Sequence, residues 1–118
     1  MLYIVIPFRV QEQFDRTAQL RTLLQHLRQH LHHPYRVVVV EQSQDGRLFN
    51  RGALLNIGTM LLGKDASTVI FHDADLLPCE ELLRHYRRGE GIHHLGRRWG
   101  RYSSNARYLG GVLRMPVD

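Results

Sequence analysis

The sequence predicts an α/β fold, Rossmann-like, with a mostly parallel sheet and flanking helices. Three observations carry this reading. Residues 2–6, 36–41 and 68–72 are short apolar runs rich in β-branched side chains, as strands are. Stretches of helical periodicity separate them, and strands that alternate with helices favour parallel pairing through right-handed crossovers. The three runs are apolar on both faces, as expected of strands covered on both sides.

Each element has its own justification. Residues 2–6 make the first strand, which Pro7 is expected to end. Over residues 12–31, Phe14, Leu20, Leu24, Leu27 and Leu31 recur at helical spacing, and Pro34 stops that helix. Val37, Val38, Val39 and Val40 give a second buried strand. Asp45 and Gly46 supply a turn. Asn50 is a candidate N-cap for a helix over residues 51–62, with Gly63 at its end. Residues 68–72 are a third buried strand. Pro78 opens a short helix carrying Leu82 and Leu83. From Gly91 on the pattern is less periodic, and Gly110 and Gly111 precede another short apolar run. No repeat or Pro/Gly/Ser-rich linker divides the chain, so residues 1–118 read as one domain.

Composition excludes several classes. A chain of 118 residues is about one domain's worth. Its 43% hydrophobic and 23% charged residues exclude a disordered tail, a collagen-like repeat and a disulfide scaffold. Cys79 is the only cysteine, so no intrachain disulfide forms. No apolar run is long enough to span a bilayer, and the N-terminus has no basic region ahead of an apolar one, so neither a membrane segment nor a secretory signal is expected. The net charge is +5, and Lys64 is the only lysine among 16 Lys and Arg. Arginine's planar fork suits phosphate, although most of these arginines read as a solvated surface.

Ligands of open α/β sheets bind beyond the carboxyl ends of the strands. Three segments lie there: Pro7-Phe8-Arg9, the loop leading to Phe49-Asn50-Arg51, and Asp73-Ala74-Asp75. Two carboxylates two residues apart at a strand end suit a hard cation that completes its shell with phosphate oxygens. The same spacing also serves a solvated turn. Arg51 at a helix start adds a guanidinium where anions are already favoured. Phe49 either stacks on a base or packs in the core, and Phe8 has the same two readings. Arg9 is placed to reach a base carbonyl or a phosphate.

In order along the chain stand Val5-Ile6-Pro7-Phe8-Arg9, Phe49-Asn50-Arg51-Gly52-Ala53-Leu54-Leu55-Asn56-Ile57-Gly58, Val69-Ile70-Phe71-His72-Asp73-Ala74-Asp75-Leu76-Leu77-Pro78 and Tyr108-Leu109-Gly110-Gly111-Val112. Together they closely resemble the N-terminal half of the β-1,4-galactosyltransferases, family 7 of the glycosyltransferases, over nearly the whole chain. The resemblance implies a GT-A nucleotide-diphospho-sugar transferase fold, incomplete at its C-terminus. It implies transfer of galactose or N-acetylgalactosamine from a UDP-sugar donor to a carbohydrate acceptor by metal-assisted inverting displacement, with Mn²⁺, or another divalent cation such as Mg²⁺, as cofactor.

By the same likeness Pro7, Phe8 and Arg9 line the uridine pocket and Phe49 contacts the base. Arg51 lies toward the ribose and phosphates. Asp73 and Ala74 hold the nucleotide sugar, and Asp75 ligates the metal. Arg98 stands where the family usually has a lysine facing the diphosphate. Tyr108 stands at the position that helps choose between the two sugars, and Gly110 and Gly111 lie near the sugar substrates. Two departures accompany the match. Gln11 replaces a second uridine-contacting arginine. The family's Gly-Trp-Gly-Gly-Glu-Asp segment, with the catalytic carboxylate, and a later metal-binding histidine are missing, and Trp99 sits in a different context. The general base is therefore expected in a further C-terminal segment or partner. Without an anchor or signal, a cytoplasmic setting is expected, and the Golgi lumen only if the chain is a fragment of an anchored protein.

Two other readings fit parts of the sequence. The run Val-Ile-Phe-His-Asp-Ala-Asp is also similar to the nucleophile strand of haloacid-dehalogenase-type phosphatases, but Leu76 and Leu77 stand where threonine or valine is usual. Arg84, Arg87, Arg88, Arg97, Arg98, Arg101 and Arg107 interleave with Tyr86, Trp99 and Tyr102, a mixture that can bind single-stranded nucleic acid; nucleic acid is nonetheless not the expected partner. His26, His30 and His33 share a helical side and His93 and His94 form a pair, read as surface or buried neutral histidines. Cys79 is read as a small apolar filler.

Overall fold

Residues Leu2–Phe8 form β1, and every one of them is buried. That is the expected state of a strand at the centre of a sheet with helices on both faces. The structure is a computed structural model that describes residues 1–10, 16–86, 91–95 and 111–117. The further elements are α1 (Arg16–His30), β2 (Tyr35–Glu41), α2 (Arg51–Met60), β3 (Thr68–His72), α3 (Glu80–Leu83) with a 3₁₀ turn over Arg84–Tyr86, β4 (His93–His94) and β5 (Val112–Pro116).

The sheet order is β2-β1-β3-β5-β4. β1 pairs parallel with β2, from Leu2 opposite Tyr35 to Phe8 opposite Glu41, and with β3, from Leu2 opposite Thr68 to Val5 opposite Phe71. These are the parallel strands that the alternation predicts. β5 runs antiparallel to β3, and β4 antiparallel to β5, so the sheet is mixed.

Side-chain alternation along β1 sorts the core into two layers. Leu2, Ile4 and Ile6 pack with Leu23, Leu27 and Leu31 of the α1 region, with Ile70, and with Leu82, Leu83 and Tyr86. Val5 packs with Val40, Leu54 and Val69 beneath α2. Leu23 and Leu27 are fully buried, and each such leucine contributes roughly 1.5–3 kcal/mol of apolar transfer. Leu20 and Leu24 sit partly buried at the margin of that layer. Leu23 is thus a core position that the predicted stripe omitted; Phe14 lies outside the described residues.

Four local expectations are corrected. Pro7 does not end the first strand, which runs on to Phe8. The Phe8 carbonyl accepts from Gln42 N at 2.8 Å, so Phe8 points its backbone at β2. Pro7 then points the opposite way, beyond the last β1–β3 pair, where no ladder donor is required. β2 is an edge strand on which only Val40 is buried; Tyr35 and Val37 are partly covered by one core layer and Val38 by the other. α2 ends at Met60, and Gly63 is not its left-handed cap, since positive φ occurs at Gly46, Gly91 and Gly111. Gly63 instead packs against the Tyr3 hydroxyl, where a Cβ would stand 2.3 Å from the oxygen. Cys79 is exposed, so it fills no gap.

Candidate functional site

The carboxyl ends of β1 and β3 and the start of α2 converge on a cleft of about 180 Å³. Pro7, Phe8 and Arg9 enter it from the end of β1. Phe49 and Arg51 enter from the start of α2, and Asp73, Ala74 and Asp75 from the turn after β3. Every residue assigned to the nucleotide or metal that falls among the described residues therefore lines one cleft. Arg98, Tyr108 and Gly110 lie outside the described residues. Gly111 is buried beside the cleft, and its carbonyl accepts from Asp73 N at 2.7 Å. Its φ of 76° is one that favours glycine.

Local chemistry explains the placement of Arg51. Asn50 caps α2 with its side-chain oxygen accepting from Ala53 N at 3.0 Å. Gln42, just past β2, holds the far end of the following loop with both polar side-chain atoms. Its Oε1 accepts from Asn50 N at 2.8 Å and its Nε2 donates to the Leu48 carbonyl at 3.0 Å. Asp45 Oδ1 accepts from Arg47 N, and Gly46 turns the chain with a φ of 79°. Gln44 donates to the Val10 carbonyl at 2.6 Å and accepts from Arg9 Nε at 3.4 Å, while the Arg9 guanidinium also donates to the Arg47 carbonyl. Gln42 and Gln44 are thus positioning residues that carried no signal in the sequence, because isolated glutamines in a polar loop have no periodicity.

Each carboxylate of the Asp73/Asp75 pair meets a guanidinium. Arg51 Nε donates to Asp73 Oδ1 at 2.9 Å. Arg16, the first described residue of α1, places Nη1 3.4 Å from Asp75 Oδ2. Arg16 also lines the cleft and was absent from the sequence-derived set. Arg9, Arg16 and Arg51 outweigh the two aspartates, which gives the cleft a net positive lining suited to a ligand with several negative charges. Phe49 is 39% exposed, so its ring is available to a ligand, whereas Phe8 is mostly core at 6%.

Behind the cleft, His72 is fully buried on β3. Its Nδ1 donates to the Asp73 carbonyl at 2.7 Å, which leaves Nε2 to accept from the Tyr86 hydroxyl at 2.8 Å. Burial pushes the His72 pKa down to about 4, against the opposing pull of the Asp73 carbonyl and the Asp75 charge. Burial raises the Tyr86 hydroxyl well above its ordinary value. Tyr86 is fully buried and cannot stack on a nucleic-acid base. Arg84 and Tyr86 are the members of the Arg-rich stretch that fall among the described residues. His26 and His30 touch one another, and His30 Nδ1 lies 3.1 Å from Glu80.

Among the described residues no three His, Cys, Asp or Glu side chains converge as a metal cage. Arg51 holds Asp73 at 2.9 Å and Arg16 approaches Asp75 at 3.4 Å, so the looser of the two pairs leaves Asp75 as the carboxylate better placed to meet a hard cation. That donor set fits a cation that draws its remaining ligands from a substrate diphosphate. No helix among the described residues is long and apolar enough to cross a membrane.

Comparison with known proteins gives this cleft a context. Human beta-1,4-galactosyltransferase 4 is 35% identical over 125 residues, covering 95% of this chain. Human beta-1,4-galactosyltransferase 7 is 34% identical over 88 residues, covering 70%. The chain spans 33% and 24% of their lengths. A mutant Drosophila beta-1,4-galactosyltransferase 7, solved with manganese, UDP-Gal and xylobiose, superposes with a TM-score of 0.76 at 24% identity. That match covers 98% of this chain and 48% of the other. The catalytic domain of the same Drosophila enzyme with xylobiose gives 0.74. The fold is thus that of galactosyltransferase catalytic domains. Residues 1–87 match the N-terminal region of glycosyl transferase group 7, and the chain belongs to that family.

Proposed function

We propose that residues 1–118 form the donor-binding domain of a β-1,4-galactosyltransferase, which takes galactose or N-acetylgalactosamine from a UDP-sugar and gives it to a carbohydrate acceptor. The observation that carries this reading is the cleft itself. An Asp-x-Asp turn at the end of a central parallel strand faces an exposed aromatic ring and three guanidiniums. The manganese, UDP-Gal and xylobiose held by the Drosophila relative support a sugar nucleotide, a divalent cation and a saccharide acceptor here.

The chain's own residues divide the work. Pro7, Phe8 and Phe49 offer an apolar wall for the base, and Arg9 is anchored at its edge. Arg51 keeps Asp73 in place and faces the ribose and phosphates. Asp73 and Ala74 hold the sugar nucleotide. Gly111 steadies Asp73 through its carbonyl, and by the family resemblance Gly110 and Gly111 are assigned to the sugars. By the family resemblance Arg98 is assigned to the diphosphate and Tyr108 to the choice of sugar. Asp75 would hold a divalent cation, which offsets the charge that develops on the departing diphosphate. An acceptor hydroxyl attacks the anomeric carbon as UDP leaves, inverting that centre. Its proton needs a positioned base. Among the described residues the carboxylates lining the cleft are Asp73 and Asp75, both already assigned. The base is assigned outside these two carboxylates, in line with the expectation of a further C-terminal segment or partner.

Calorimetric titration with UDP, with and without Mn²⁺, tests the reading on the wild type and Asp75→Asn. Mn²⁺-dependent UDP binding that weakens at least about tenfold in the variant is expected. Mn²⁺-independent binding, or none, would remove the donor site.

A further inference from the structure

We propose that Arg16 is a displaceable counter-cation for Asp75, exchanging that carboxylate for a ligand's diphosphate when nucleotide and divalent cation bind together. This rests on the donor-site reading above. The observation is the 3.4 Å approach of Arg16 Nη1 to Asp75 Oδ2 inside the cleft. A guanidinium there takes up carboxylate lone pairs that a hard cation needs, and its own positive charge opposes a second one nearby.

The neighbouring pair sets the contrast. Arg51 and Asp73 are joined by a 2.9 Å hydrogen bond, with Gln42 holding the start of α2 and the Gly111 carbonyl holding Asp73 N. The Arg16 contact is longer, and its two side chains remain 30% and 25% exposed. Arg16 Nη1 also donates to Gln19 Oε1 at 3.0 Å on its own helix, so a second anchoring partner is already in reach. A diphosphate entering the cleft offers this guanidinium oxygens of higher charge than one carboxylate. Arg16 then turns to the phosphates and Asp75 becomes available to the cation.

Such an exchange couples the two ligands. Cation alone must displace Arg16 and binds weakly. Nucleotide draws Arg16 away and strengthens cation binding, and the effect is reciprocal. Arg16 is a positioning residue in this scheme, acting on when Asp75 is free.

The test measures free Mn²⁺ by electron paramagnetic resonance in titrations of the wild type, Arg16→Gln, Arg16→Lys and Asp75→Asn, each with and without UDP. Thermal unfolding of each variant checks that it folds. Without UDP, Arg16→Gln is expected to bind Mn²⁺ about three- to fivefold more tightly than the wild type, the scale of a partly exposed ion pair. Arg16→Lys keeps the wild-type affinity, and Asp75→Asn loses the site. The gain in Mn²⁺ affinity on adding UDP shrinks in Arg16→Gln by a similar factor. Equal or weaker nucleotide-free Mn²⁺ affinity in Arg16→Gln overturns the proposal, as does an unchanged UDP-induced gain or no measurable Mn²⁺ binding in either protein. Failure of every protein to bind UDP at saturating Mn²⁺ instead overturns the donor site, while the nucleotide-free titrations still report on Arg16.

Discussion

Arg51 Nε lies 2.9 Å from Asp73 Oδ1, so one hydrogen bond ties the start of α2 to the turn after β3. Both side chains are partly exposed, at 34% and 22%. Removing the pair should cost at most about 1 kcal/mol of stability. Its greater consequence is geometric, because Asp73 would lose its lateral support. Arg51→Ala is expected to weaken UDP binding about tenfold or more while lowering the melting temperature by only a few degrees. Arg51→Lys keeps the charge without the planar fork and should fall between the two. Calorimetry beside thermal unfolding separates the effects. A lower melting temperature with unchanged UDP affinity would make the pair purely structural.

The burial of His72 gives folding a pH dependence. His72 is neutral in the fold because burial holds its pKa at about 4 rather than 6.5. Between those values the unfolded chain binds a proton that the folded chain does not. Stability therefore rises with pH through this window, is complete above 6.5 and is lost as pH falls toward 4. The contribution is roughly 3 kcal/mol. Urea unfolding at pH 7 and pH 5 should show the loss, and His72→Gln should flatten it. Asp65, whose pKa the Tyr3 hydroxyl holds below 3.8, acts only at more acidic pH. An equal slope in His72→Gln would place the titrating group elsewhere.

Asn50 offers a narrower test of how the loop sets up the cleft. Its side chain accepts from Ala53 N, while its backbone N–H donates to Gln42. Asn50→Ala removes the first bond and keeps the second. The expected loss is about 1 kcal/mol, with Asn50→Asp restoring it. Denaturant midpoints of the three proteins decide this, and an Asp variant no better than Ala would mean that the cap carries no weight.

The parts of the fold legible in the sequence are those whose burial is continuous. β1 and β3 read directly as apolar runs, α1 through its spacing and α2 through the Asn50 cap. β2 was found but misjudged, since four consecutive valines cannot reveal that an edge strand buries only Val40. β4 is two histidines, and β5 carries the buried Arg114, so neither has the pattern of a strand. The clefted residues at strand ends were legible because topology dictates where they go. Arg16 was not. It sits on the polar side of an amphipathic stretch, and only the packing of α1 against the sheet brings it to Asp75. Gly63 was misread as a helix cap, because its closeness to the Tyr3 hydroxyl arises from the tertiary fold.

Gly58 is the position at which core packing and the cleft meet. It is buried in α2 against β1 and β2, and a Cβ there would stand 2.3 Å from Val5 Cγ1 and 3.3 Å from Val40 Cγ2. Val5 is fully buried in the central strand and is β-branched, so it cannot rotate away cheaply. Alanine would ordinarily favour a helix over glycine by about 1 kcal/mol. Here overpacking should reverse that preference, for a net loss of about 1–3 kcal/mol. If α2 lifts to relieve the clash, Arg51 moves with it, so UDP affinity should fall as well. Val5→Ala removes the opposing methyl, and the double variant should recover part of both losses. A double-mutant cycle in urea reads the coupling. Additive losses, or a Gly58→Ala protein more stable than the wild type, would show that α2 is free to settle further from the sheet and that close approach at Gly58 does not set the height of Arg51 over the cleft.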